Sequence, residues 1–249
     1  MLSDDQIKQF AGQLNFPPYP IIREYLQTVF VLTLYQLPQL ATTYFKGGTC
    51  LRLVFHSGRF SEDLDFTTNL DASDVESLLT ETTNKLTPEF ENLTLKQKKS
   101  LAGLSYSLSY KAPQISMPIS IRLDFSFREN VLDPEVSTIT TIYPVSFFSP
   151  IPHISLKEMV AEKVRALMHR TKGRDLYDLH YLLSRQAPFD INFINKKLSF
   201  YHEVFNPSEF RERIKTFPQE DLQSDLVHFI PKNQRGIIPH LSSQILELL

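Results

Sequence analysis

The sequence predicts an α+β (α/β) fold in three stretches: a helical lead-in over residues 1–38, a small α/β core over 39–152 and a helical part over 153–249. Three observations predict it. Apolar residues recur at helical spacing before residue 38 and again after residue 155. Between them, runs such as "ISIRLDFSF" alternate apolar and polar residues, the period of a half-buried strand. Beyond residue 185, Pro188, Pro207, Pro218 and Pro231 cut the chain into short helical pieces.

Taken in order, the segment 17–38 opens with prolines and closes with Pro38. Ile22, Tyr25, Leu26, Val29 and Leu32 fall at helical spacing within it. "TTYF" (42–45) reads as a short strand, "GGTCLRLVFH" (47–56) as a turn into a helix, and "EDLDFTT" (62–68) as a second strand. Residues 72–92 read as a helix as far as Pro88. The runs 94–112 and 115–129 are strand candidates by their β-branched and aromatic alternation, and 131–154 is rich in Pro, Ser and Thr, hence loops and short strands. At residue 155 "SLKE" forms a capping box, with Ser155 as the cap and Glu158 reaching back. Gly173 is the expected stop of that helix, and "RDLYDLHYLLSR" (174–185) the next one.

Composition narrows the classes. With 42% hydrophobic and 22% charged residues the chain can bury a core and is not disordered. Its single cysteine, Cys50, excludes an internal disulfide and a cysteine-based zinc site. The start "MLSDDQIKQF" has no apolar signal region, and "VFVLTLYQL" is far short of the ~20 residues that a membrane span needs. A soluble cytoplasmic protein is expected. The net charge of −2 gives no global attraction to nucleic acid, so such binding would need a local patch.

Five constellations carry chemistry. "KGGT" (46–49) sits between a strand and a helix start, where glycines let backbone N–H groups approach a phosphate and Thr49 adds a hydroxyl. A tight turn explains the same residues equally well. In "EDLDF", Asp63 and Asp65 share one face of a strand while Leu64 and Phe66 share the other. Two carboxylates about 7 Å apart repel unless a cation lies between them, and Mg²⁺ takes such a pair together with substrate phosphates. A solvated strand face is the alternative. In "ISIRLDFSF", Asp124 lies on the polar face and would join the first two acids if its strand pairs beside theirs. Three acids from two strands can hold two metal ions for phosphoryl transfer. A surface pair with Arg122 is the other reading.

On the helix after Ser155, Lys163 falls inside an apolar stripe. It either snorkels, which the spacing favours, or reaches a phosphate. In "RTKGRDLYDL", Asp175 and Asp178 lie on one helical face, where Asp175 would also suit the helix N-terminus. Residues 163–174 hold five basic residues and no acid, a strip suited to a triphosphate or an RNA backbone or simply to solvent. "KQKK" (96–99) is a second basic cluster with a weaker claim. The seven histidines lack metal-ligand spacing, and no Walker A loop, G-x-S-x-G elbow or G-x-G-x-x-G is present.

The glycine pair, the Asp-x-Asp strand and the later strand with one Asp resemble the nucleotidyltransferase superfamily. More narrowly, "FKGGTCLRL" and "RFSEDLDF", followed by "EMVAEKVRAL" and "RDLYDL", resemble the AbiEii/AbiGii-type toxins of type IV toxin–antitoxin and phage-defence (abortive infection) systems, over residues 20–185. The resemblance implies a mixed-sheet nucleotidyltransferase-like core whose active site the helical C-terminal domain completes. It implies that Gly47, Gly48 and Thr49 hold nucleotide phosphates, with Lys46, Arg59 and Lys163 on the same side; many relatives carry Ser where this chain has Gly48 or Thr49. It makes Asp63 and Asp65 the metal-binding pair with Asp124 as third carboxylate. Asp63, Asp65, Lys163, Asp175 and Asp178 become the catalytic set, and Arg165, Arg170, Lys172 and Arg174 the acceptor contacts. Mg²⁺ (or Mn²⁺) is the expected cofactor. A nucleoside triphosphate, an RNA acceptor such as the 3′ end of tRNA, and an antitoxin protein are the expected partners. Kinase-like phosphate transfer to a protein serine is the alternative chemistry. A non-catalytic binding module on the same fold is the alternative class, though the acid set is intact.

Overall fold

The computed structural model describes residues 1–100 and 103–249 and shows a mixed α+β protein. Its contacts divide the chain into two compact units, residues 1–56 with 60–153, and residues 57–59 with 154–249.

The first unit is built on a seven-stranded sheet. Its strands are β1 (Thr43–Lys46), β2 (Leu64–Thr68), β3 (Thr94–Lys98), β4 (Gly103–Tyr110), β5 (Ile119–Ser126), β6 (Pro134–Ser137) and β7 (Ile151–Ile154). They lie in the order β3-β4-β5-β2-β1-β7-β6. The sheet is mixed: β2 runs parallel to β5 and antiparallel to β1, while β1 runs parallel to β7. Of the strand run expected at 94–112, residues 101–102 lie outside the described residues.

Alternation gives this sheet two unlike faces. Phe45, Phe66 and Phe125 are register partners on one face, with ring centroids 5.3 and 4.7 Å apart, and Tyr106, Leu108, Ile121 and Leu123 extend the same buried layer. The helix α2 (Pro18–Leu34) packs on that layer, alongside α1 (Asp4–Leu14) and α4 (Ala72–Leu86). The sequence spacing predicts an α2 with one apolar stripe. Instead, every residue from Pro20 to Leu34 is buried, because the polar members of the helix find partners inside the unit. Glu24 accepts from Arg52 at 2.6 Å and from the Tyr143 hydroxyl at 3.0 Å, and Arg23 binds Glu62 at 2.8 Å.

The second unit holds the helices α5 (Leu156–His169), α6 (Gly173–Ser184), α7 (Ile191–Ser199), α8 (Pro207–Lys215), α9 (Gln219–Leu226) and α10 (Leu241–Leu248). Ser155 caps α5 as its spacing predicts, its hydroxyl accepting from the Glu158 N–H at 3.1 Å. The Glu158 carboxylate takes the buried Lys197 ammonium at 2.6 Å. Gly173 differs from expectation, since α5 ends at His169 and Gly173 starts α6. A Cβ there would stand 3.0 Å from the Leu222 carbonyl oxygen, a tight approach to α9 that glycine leaves unstrained. Among the described residues no helix is long and apolar enough to cross a membrane.

Candidate active site

The first unit carries the acid cluster. Strand β1 runs into the short helix α3 (Gly47–Leu53) at Gly47, whose φ of +76° is a conformation that side chains disfavour. The same glycine has a second constraint. A Cβ at position 47 would collide with the Asp65 carboxylate, so the acid lies directly against the bare turn. Lys46 is the register partner of Asp65 on β1, and Asp124 is its partner on β5. The two acids therefore stand side by side on neighbouring parallel strands, about 4.8 Å apart by ordinary strand spacing.

Several groups hold this strand start in place. The Thr49 hydroxyl donates to the Asp63 carbonyl. The Gln27 amide donates to the carbonyls of Glu62, at 2.9 Å, and Ser61, at 3.3 Å. Thr49 is buried, and this bond ties the helix after the glycine pair to the strand that carries the acids. The Lys46 ammonium lies 2.6 Å from the buried Glu129 carboxylate. Sequence reasoning missed Glu129, because no local spacing relates positions 46 and 129. It also missed Thr67, two residues beyond Asp65, whose buried hydroxyl has no hydrogen-bond partner among the described residues. A bound water or phosphate would satisfy such an atom.

Asp124 is also gripped by Arg122, whose Nε lies 2.9–3.0 Å from its carboxylate oxygens. The strand pairing and the Arg122 contact, alternatives on the sequence, thus coexist. Among the described residues no three His, Cys, Asp or Glu side chains already converge as a metal cage. By donor chemistry the carboxylates at 63, 65 and 124 suit a hard divalent cation, and the bare Gly47 turn lets the Asp65 carboxylate lie close against it.

The second unit gathers a different cluster. Asp178 accepts both arms of the Arg59 guanidinium at 2.6 Å and lies 2.7 Å from the Lys163 ammonium. Asp175 takes Lys163 at 3.0 Å and Arg170 at 2.7 Å. Lys163 does not snorkel; it is 8% exposed and bridges the two acids. Burial alone would push the Asp175 carboxyl up, but the charges of Lys163 and Arg170 outweigh it and hold the group well below the usual carboxylate range. Asp178 is likewise lowered against its burial, by Arg59 and Lys163. Lys163 is raised in turn, the two aspartates overcoming its desolvation.

The basic strip finds acids from elsewhere in the same unit. Arg165 pairs with Glu203 at 3.4 Å and lies over the Tyr201 ring. Arg174 pairs with Asp225 at 3.5 Å and lies over the Phe229 ring. Arg170 is held by Asp175, and Lys172 is exposed.

Comparison with known proteins places these residues in context. Residues 32–244 match the sequence profile of the family described as nucleotidyl transferase AbiEii toxin, type IV TA system. Among curated proteins none matches the chain. The fold is similar to that of MenT4, a nucleotidyltransferase toxin from Mycobacterium tuberculosis H37Rv. The TM-score is 0.69 at 18% identity, over 100% of this chain and 88% of that one. It is also similar to JHP933 from Helicobacter pylori, with a TM-score of 0.56 at 21% identity, over 92% of this chain and 89% of that one.

Proposed function

Because the chain belongs to the AbiEii nucleotidyl transferase toxin family of type IV toxin–antitoxin systems, and is thereby a transferase that uses a nucleoside triphosphate and has an antitoxin partner, we propose that it moves a nucleotidyl group to the 3′ end of an RNA, tRNA in particular, with Mg²⁺ held by Asp63 and Asp65. Asp124 is the third carboxylate of that set. The observation that carries this reading is the register of Asp65 beside Asp124, with Asp65 packed against the side-chain-free turn at Gly47.

The reaction needs little covalent chemistry from the protein. The acceptor hydroxyl oxygen bonds to the α-phosphorus, the bond from that phosphorus to the bridging oxygen breaks, and pyrophosphate leaves as the hydroxyl loses its proton. A bound divalent ion supplies positive charge to the triphosphate and to the leaving group. The residues supply placement. Gln27 and Thr49 fix the backbone at 61–63, and Gly47, without a Cβ, lets the Asp65 carboxylate lie against the turn. Lys46, neutralised by Glu129, holds the end of β1 beside Asp65.

The test is transfer of label from each α-³²P nucleoside triphosphate to total tRNA in the presence of Mg²⁺. Label on RNA from one nucleotide, lost in Asp63→Asn, supports the proposal. Label that persists in a folded Asp63→Asn protein overturns the role of the acids. Label that never reaches RNA overturns the acceptor.

A further inference from the structure

The polar face of the sheet extends well past the acids. Following the register outward from β2, Asp65 stands beside Asp124, Asp124 beside Ser105 on β4, and Ser105 beside Lys98 on β3. A second row runs Arg122, Ser107, Lys96, and a third runs Ser120, Ser109, Thr94. Register partners on adjacent strands point to the same face, so all three rows lie on the side that bears the acids. On these rows of β3, β4 and β5 the residues are cations and hydroxyls, and Asp124 is the lone acid. Every large apolar side chain of these strands faces the other way, into the layer under α2.

The charges on this face are available. Lys96, Lys98 and Lys99 are exposed and make no ion pair among the described residues. The Arg122 side chain is 57% exposed even as its Nε contacts Asp124 and the Ser105 hydroxyl, the latter at 3.2 Å. The arginines of the 163–174 strip, in contrast, are matched by Asp175, Glu203 and Asp225. In a chain of net charge −2, the β3 edge is a local positive patch joined in register to the catalytic acids.

The geometry points to this face as the seat of the acceptor RNA, with a single-stranded end lying across β5 and β4 to the β3 edge. Lys96, Lys98 and Arg122 take its phosphates, and the Ser107, Ser109 and Ser120 hydroxyls face its sugars, while the buried Ser105 hydroxyl steadies Arg122. The inference rests on the transferase reading above and names the acceptor's path. A protein acceptor would call for buried apolar or aromatic anchors, and these rows have none. Three strand spacings separate Lys98 from Asp65, about 14 Å, so a strand held at the edge presents its end at the acids. With no aromatic ring to stack on bases, recognition here is of backbone and is tolerant of sequence.

The experiment measures binding of a fluorescein-labelled single-stranded RNA, and of total tRNA, by anisotropy across a KCl series without nucleotide. It compares the unsubstituted protein with its Lys96→Ala/Lys98→Ala variant. Loss of two phosphate contacts lowers the slope of log Kobs against log[salt] by about 1.4, from about 0.7 per contact on single strands. Binding of a nucleoside triphosphate with Mg²⁺, followed by calorimetry, stays unchanged, and so does the melting temperature. An unaltered slope in the double variant overturns the path, and so does a wild-type protein that binds neither RNA. Either failure is separable from failure of the transferase reading, which would appear as nucleotide binding insensitive to Asp65→Asn.

Discussion

The aspartates at the start of β2 and those of α6 are one residue type at similar short spacings, Asp63 and Asp65 against Asp175 and Asp178, yet the fold treats them differently. Asp178 is fully buried, and Asp175 nearly so, with Arg59, Lys163 and Arg170 built around them. Asp63, just ahead of β2, and Asp65 are both half-buried, and Asp65 lies on the polar face of the sheet against the Gly47 turn with Asp124 in register. Carboxylates buried with their countercharges contribute to the stability of the second unit. Carboxylates set in register on a half-buried sheet face are placed where a bound cation would offset their mutual repulsion. Two cations on one buried carboxylate also explain why α5, α6 and residues 57–59 hold together within the second unit, since removing one partner strands the others.

The contrast can be broken by substitution. Asp178→Asn removes the carboxylate that both Arg59 and Lys163 bind, leaving Lys163 with Asp175 alone, and should cost roughly 3–5 kcal/mol of stability, read by urea unfolding; a change under about 1 kcal/mol would contradict the role given to the cluster. The acid limb tests the same cluster. The two carboxyls are depressed in the folded state, so their stabilisation is complete above the ordinary aspartate value of 3.8 and is lost progressively as pH falls below it. Asp178→Asn should flatten that loss. Asp65→Asn should reverse the pattern, with transfer lowered by about 10²–10³-fold and a melting temperature within a few degrees of wild type. Equal damage to stability would make the sheet acids structural as well.

Gly47→Ala sharpens the comparison at smaller amplitude. The positive φ costs about 1–2 kcal/mol for an L side chain, and the new methyl displaces the Asp65 carboxylate, so both unfolding and transfer should respond. Unaltered transfer would show that the position of Asp65 is not critical. Ser155→Ala removes an uncharged cap from the second unit and should cost about 1 kcal/mol with no change in the acid limb.

Much of this arrangement is written in local pattern. The alternation of "LDFTT" and "ISIRLDFS" places the acids on one face and the phenylalanines on the other, because strand periodicity is a property of neighbouring residues. The cap at Ser155 is local in the same way. What local pattern misses is partnership across sequence. The strip 163–174 contains no acid, yet Glu203 and Asp225 reach it from later helices, so a window's charge misjudges its surroundings. Lys46 meets Glu129, and Lys163 meets both acids of α6, through tertiary closeness that no spacing announces. Gly173 invites a helix stop by composition, while its real constraint is the backbone of Leu222. The weaker of the two basic clusters became the exposed one, since an edge strand of Lys and Gln has no neighbour on its outer side.

The parallel pairing of β2 with β5 has a consequence for the order of events in folding. Asp65 and Asp124 are separated along the chain by α4, β3 and β4, so the acid pair depends on a long-range closure rather than a hairpin. Such contacts form slowly and carry a loop-closure cost that nearest-neighbour structure does not. A nascent chain that has passed β2 but not yet β5 holds the glycine turn and the first two acids without the third. The three acids therefore come together only after β5 has joined the sheet, so the cluster exists in the closed sheet and not in any contiguous stretch of the chain.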